Sequence, residues 1–128
     1  MSTRPKLKEI VANIFVFGSN LAGRHSDGDA LMALREYGAI YGRAVGLQGH
    51  SYAIPVRDEQ DKILPTPVIS RYIQAFIQFA SIHRELEFQV TRVGCGKDAY
   101  RDDQIAPLFS HAPPNCHLPK KWQSKPKK

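Results

Sequence analysis

Two glycine-rich stretches carry the side chains whose types and spacing suggest chemistry. The first, GSNLAGRHSDG, covers residues 18–28, and the second, GCGKDAY, covers residues 94–100. Glycine lets a backbone approach a ligand closely and take positive φ, so successive N–H groups can converge on an anion. A helix start behind such a turn adds partial positive charge, which favours phosphate. Arg24 can pair with a phosphate through its planar fork, and Lys97 can add charge or point to solvent. Asn20 reads as a turn cap or as a ligand contact. Asp27 and Asp29 stand where a carboxylate caps exposed helix N–H groups; Asp27 turned to a ligand would instead orient or activate a water. His25 is a proton carrier near neutral pH, although a single loop histidine is more often only solvated. Cys95 fits between two glycines as a small side chain, and with no evident His or Asn beside it a thiol mechanism is rejected. Neither stretch is the nucleoside-triphosphate loop GxxxxGK[ST] or the dinucleotide pattern GxGxxG.

The elements that must hold these loops follow from apolar periodicity. IVANIFVF, residues 10–17, reads as a buried strand whose apolar run stops at Phe17. DALMALREYGA places Ala30, Leu31, Leu34 and Tyr37 at helical spacing, with Gly38 to end the helix. GRAVGLQGH has no periodicity and reads as a loop, and SYAIPV reads as a short strand closed by Pro55. Arg57, Asp58, Glu59 and Gln60 follow that strand, either as a solvated turn or as readers of a base or ribose. A second helix begins near Pro65 or Pro67, where proline's missing N–H is harmless. Its apolar stripe is Ile69, Tyr72, Ile73, Phe76, Ile77 and Ala80. EFQVTRVG alternates Phe88, Val90 and Val93 as a third strand, DDQIAPLF forms a short helix, and NCHL a last strand. Strands alternate with helices, which predicts an α/β fold with a mostly parallel sheet covered on both faces. Both glycine stretches follow strands, so they share one rim of that sheet, where ligands of open α/β sheets bind.

The 128 residues suit one domain: an N-terminal lead (1–9), a folded body (10–118) and a basic tail (119–128). No apolar run approaches the ~18 residues of a membrane span, and the N-terminus lacks the apolar core of a signal peptide. Two cysteines are too few for a disulfide framework, and no Cys/His spacing resembles a zinc site, so the expectation is a cytoplasmic protein without metal or cofactor. Five of the six net positive charges come from lysines in the last nine residues, leaving +1 for the rest. The tail PKKWQSKPKK is expected to be disordered, with Trp122 isolated in it. It reads as a solubilising end or as a weak nucleic-acid contact.

IFVFGSNLAGRHSDGDALMALREYGA and VTRVGCGKDAYRDDQIAPLF together resemble the macro domain, a family that binds ADP-ribose and related nucleotides. The longer string from residue 13 to 118, with GLQGHSYAIPVRDE and IAPLFSHAP, also resembles a set of small phage and bacterial proteins grouped with the macro-like fold. The resemblance implies a three-layer α/β/α architecture. It also implies that Asn20 contacts the ribose beyond the diphosphate and that Asp27 matches an acidic residue of the hydrolytic branch. Gly94, Gly96 and Tyr100 match a turn whose backbone wraps the diphosphate, with Cys95, Lys97, Asp98 and Ala99 between them. Gly18, Ser19, Gly23, Arg24 and Gly28 complete the implied binding set. The additional strand and adenine-recognising Asp of larger macro domains find no counterpart here, and Arg24 and His25 replace small residues. The implied ligand therefore differs from ADP-ribose in its base or its distal end. The expected function is binding of ADP-ribose or another NAD-derived nucleotide, extended to hydrolysis of an ADP-ribosyl linkage with Asn20 and Asp27 as catalytic residues. The alternative is a non-catalytic protein that sequesters an NAD-derived signal nucleotide.

Overall fold

A computed structural model describes residues 13–123. The N-terminal lead, residues 10–12 of the first expected strand and the last five residues of the tail lie outside the described residues.

Strand β1 (Asn13–Asn20) sends Ile14 and Val16 to one face and Phe15 and Phe17 to the other. A strand apolar on both faces belongs in the middle of a covered sheet. It pairs in parallel with β3 (Ser51–Arg57) on one side and with β4 (Glu87–Val90) on the other. Strand β2 (Gly46–Gln48) adds antiparallel to β3, and β5 (Cys116–His117) adds parallel to β4, giving the order β2-β3-β1-β4-β5.

Helix α1 (Gly28–Glu36) packs the small side chains of Ala30 and Ala33 against Phe17 and Ala53. Helix α2 (Thr66–Ile82) lies on the opposite face. Its buried stripe of Ile69, Ile73, Phe76, Ile77 and Ala80 meets Ile14, Val16, Ile54 and Phe88. Tyr72, expected in that stripe, is only partly buried. Helix α3 (Asp102–Ile105) runs into a 3-10 turn, Ala106–Phe109, and a second such turn spans Lys120–Trp122. The α/β class and the mostly parallel sheet are those expected. Among the described residues no helix is long and apolar enough to cross a membrane.

Five local expectations need correction. The first strand continues past Phe17, because Gly18, Ser19 and Asn20 still pair with β3. GRAVGLQGH is not all loop, since β2 pairs Gly46, Leu47 and Gln48 with Ala53, Tyr52 and Ser51. Pro55 lies inside β3 rather than closing it. It sits beyond the last β2 pair and at the register shift against β1, where a missing ladder donor is tolerated. Val93 is buried but lies after β4 has ended. Finally, the described part of the tail belongs to the fold: a 3-10 turn spans Lys120–Trp122, and Trp122 is buried with its ring centroid 5.1 Å from that of Phe109.

Candidate functional site

The chain leaves β1 over one face through α1 to reach β3, then crosses the other face through α2 to reach β4. The winding therefore reverses around β1, and the carboxyl ends of β1, β3 and β4 diverge into a crevice. Ligands of open α/β sheets bind at such a reversal. A cavity of about 850 Å³ opens there, bringing Asn20, Arg24 and Asp27 together with Gly94, Cys95, Lys97, Asp98 and Ala99.

Close backbone approach makes this cavity. A Cβ at Gly18 would lie 3.1 Å from Val56 Cγ2 and 3.8 Å from the Gly94 amide nitrogen. The strand thus passes directly beneath the second loop. Gly94 has φ +75° and Asp98 φ +60°, which folds residues 94–100 tightly. The Gly96 N–H donates to the Tyr100 carbonyl, the Tyr100 N–H to Gly94 and the Ala99 N–H to Gly96. The amides of Gly94, Lys97 and Asp98 have no acceptor among the described residues. Gly28, Asp29 and Ala30 line the same cavity and open α1, where helix geometry leaves N–H groups without partners. Six residues whose N–H groups have no acceptor among the described residues, three opening α1 and three in the second loop, line one cavity.

The first loop divides its side chains between architecture and solvent. The Asn20 carboxamide closes the loop on itself, donating to the Arg24 carbonyl and accepting from the Arg24 N–H, each at 3.0 Å. Ser19 lines the cavity, but its hydroxyl donates away, to the Ala44 carbonyl at 2.6 Å. Gly23 does not line the cavity; it is buried against Gly42, whose N–H donates to its carbonyl at 2.8 Å. Arg24 reaches across the mouth to donate to the Glu59 carbonyl. Asp27 takes the N-cap position, yet its carboxylate makes no cap hydrogen bond and stays exposed at the cavity.

His25 is not solvated. It is fully buried, edge-on to Phe17, with Nε2 3.0 Å from the Arg43 carbonyl oxygen and 3.3 Å from Gln48 Oε1. Two acceptors there call for an N–H on Nε2, so His25 anchors the loop instead of serving the ligand.

Val56, Asp61, Lys62, Ile63 and Arg92 also line the cavity, and the sequence reading singled out none of them. The Asp58 carboxylate accepts from the Gln60 and Lys62 amides at 2.9 Å, folding the turn back so that Ile63 bridges to Arg57. Asp58 therefore builds the wall and does not read a ligand. An Asp two residues before a polar pair signals such a turn. Glu59 and Gln60 do not line the cavity, whereas Arg57 does. Gly96 and Tyr100 also stand outside it; the Tyr100 hydroxyl donates to the Leu64 carbonyl at 2.8 Å and latches the second loop to the body.

Arg92 is held by both oxygens of Asp102, at 2.8 and 2.9 Å, and Trp122 Nε1 donates to the same carboxylate at 2.6 Å. The Arg92 and Trp122 hydrogen bonds hold Asp102 well below the usual carboxylate range. Burial, with the Asp102 charge beside it, pushes the Cys95 thiol up to about 12, so it stays protonated and is a poor nucleophile. A group whose pKa falls on folding contributes stability above its unfolded value and loses it as pH drops through the folded one. Asp102→Asn is therefore expected to melt below wild type above about pH 5, with the gap narrowing as pH falls toward about 2. A gap independent of pH in thermal melts would contradict this role.

The lining carries five cationic side chains, Arg24, Arg57, Lys62, Arg92 and Lys97, against four carboxylates, Asp27, Asp29, Asp61 and Asp98. Among the described residues no aromatic ring lines it, so a bound base would rest on aliphatic groups or a guanidinium plane. Among the described residues no three His, Cys, Asp or Glu side chains are grouped to hold a metal ion. No protein-family model, no curated protein and no solved structure matches the chain.

Proposed function

We propose that the protein binds an ADP-ribose-type nucleotide through its diphosphate at the carboxyl ends of β1, β3 and β4. One observation carries this reading: amides without acceptors at the start of α1 and in residues 94–98 border the same open cavity. Donors fixed by backbone need no reordering to meet a diphosphate, and the dipole of α1 adds to them. Lys62, Lys97 and Arg57 supply neutralising charge, and the macro-domain resemblance supplies the ligand class. Two free cysteines, Cys95 and Cys116, suit a reducing cytoplasm.

Calorimetric titration tests the reading directly. ADP-ribose is expected to bind with a Kd of about 1–100 µM, tighter than AMP, which lacks the diphosphate. Absence of binding by ADP-ribose at millimolar concentration would overturn it.

A hydrolytic extension rests on the Asp27 carboxylate, which is free of any capping bond at the cavity edge. Such a carboxylate can orient a water at an ADP-ribosyl linkage. Asp27→Ala is expected to keep ADP-ribose affinity within about threefold while abolishing release of ADP-ribose from a modified substrate. Unchanged turnover in the variant would remove Asp27 from the chemistry, and a wild type without turnover would favour the sequestering protein. The occupied carboxamide of Asn20 also favours that non-catalytic form.

A further inference from the structure

We infer that Lys120 and Lys121 form a docking strip for the phosphate backbone of a single-stranded nucleic acid whose terminal nucleotide enters the cavity. The inference rests on the nucleotide-binding reading above.

The strip is placed by a buried tryptophan. Trp122 packs on Phe109, and its indole N–H is bonded to Asp102, whose carboxylate grips Arg92 on the cavity wall. Only these two side-chain links separate the lysines' turn from the cavity. With three residues to a 3-10 turn, Trp122 faces inward while Lys120 and Lys121 are exposed. Neither lysine is in an ion pair among the described residues. Three further lysines, Lys125, Lys127 and Lys128, follow in the sequence, whereas the rest of the chain is nearly neutral. Two exposed cations without ion-pair partners among the described residues thus stand two side-chain links from a crevice lined by residues with unpartnered amides, and further lysines follow them in the sequence, the electrostatic footprint of a polyanion site.

Nucleic acid fits this pairing better than other polyanions. A strand end presents a nucleotide for the cavity and a run of phosphates for the lysines within one molecule. An anionic lipid surface or an acidic peptide offers the second feature without the first. The absence of aromatic rings from the cavity lining among the described residues also shifts recognition from base stacking to phosphate contact.

The test uses fluorescence anisotropy of a short 5′-phosphorylated single-stranded oligonucleotide with the full chain. Wild type is expected to bind at low salt, with saturating ADP-ribose weakening that binding by competing for the cavity. The double variant Lys120→Gln, Lys121→Gln should weaken oligonucleotide binding at least about tenfold and flatten the log–log salt slope by about 1.4. Its calorimetric affinity for ADP-ribose should stay within about twofold of wild type. No oligonucleotide binding by wild type, no loss in the double variant, no competition by ADP-ribose, or tighter binding to phosphatidylserine vesicles would each overturn the proposal. Failure of the cavity itself is read separately, from ADP-ribose calorimetry on the wild type.

Discussion

Gly23→Ala is expected to destabilise the fold by about 3–5 kcal/mol and to remove ligand binding with it. The residue has φ +70°, and an added Cβ would stand 2.4 Å from the Gly42 carbonyl carbon and 2.7 Å from the Arg43 nitrogen. Both obstacles are backbone, so no side-chain rotation relieves them. The backbone of residue 23 is also bonded at both ends, to the Asn20 carbonyl through its N–H and to Gly42 through its carbonyl. An alanine must therefore break the clamp between the first loop and residues 42–43, beside the carbonyl that His25 faces. For a domain stable by about 5–15 kcal/mol, that leaves little margin. Urea denaturation measures the change. A cost below about 0.5 kcal/mol, within the range of an ordinary surface substitution, would show that the clamp is not what fixes the loop.

Trp122→Ala is expected to cost about 3 kcal/mol, at the lower end for a buried aromatic because its site lies at the edge of the core. The substitution removes the ring packed on Phe109 and the indole donor to Asp102. At this chain length the melting temperature should fall by roughly 10 °C. Release of residues 119–123 from Asp102 should also weaken oligonucleotide binding, since the lysines lose the side-chain links that tie their turn to Arg92 at the cavity. Trp122→Phe separates the two contributions: it retains ring packing, loses the donor and should recover most of the stability. An unchanged melting temperature in Trp122→Ala would restore the reading of residues 119–128 as an unstructured tail.

The expected strands and helices that matched the fold are those whose burial follows a local period. Ile14, Val16 and Phe17 announce a strand buried on both faces, and Ile69, Ile73, Phe76, Ile77 and Ala80 announce one face of α2. The rim was legible for the same reason, because turns after parallel strands gather at one end of the sheet. Contacts between distant residues were not legible. Strand β2 has three residues and no alternation, and exists because Gln48 and Ser51 pair across a tight turn. His25 is buried because Arg43 and Gln48, far along the chain, bring acceptors to its ring. Lysines dominate the composition around Trp122, and only its contacts with Phe109 and Asp102 set it apart. Asp61, Lys62 and Ile63 reach the cavity through a fold-back closed by Asp58, which hydropathy does not report. Asn20 was legible in place but not in use: it stands at the cavity, and its carboxamide is engaged by Arg24.

The central claim is that two separated turns present backbone amides to one diphosphate. An amide ¹H–¹⁵N correlation spectrum, titrated with ADP-ribose, reads those groups one by one. The expected result is a concerted, saturable shift of Gly28, Asp29 and Ala30 together with Gly94, Lys97 and Asp98, at a single dissociation constant. Saturating ADP-ribose that leaves these six signals in place, or moves only one of the two groups, would contradict it.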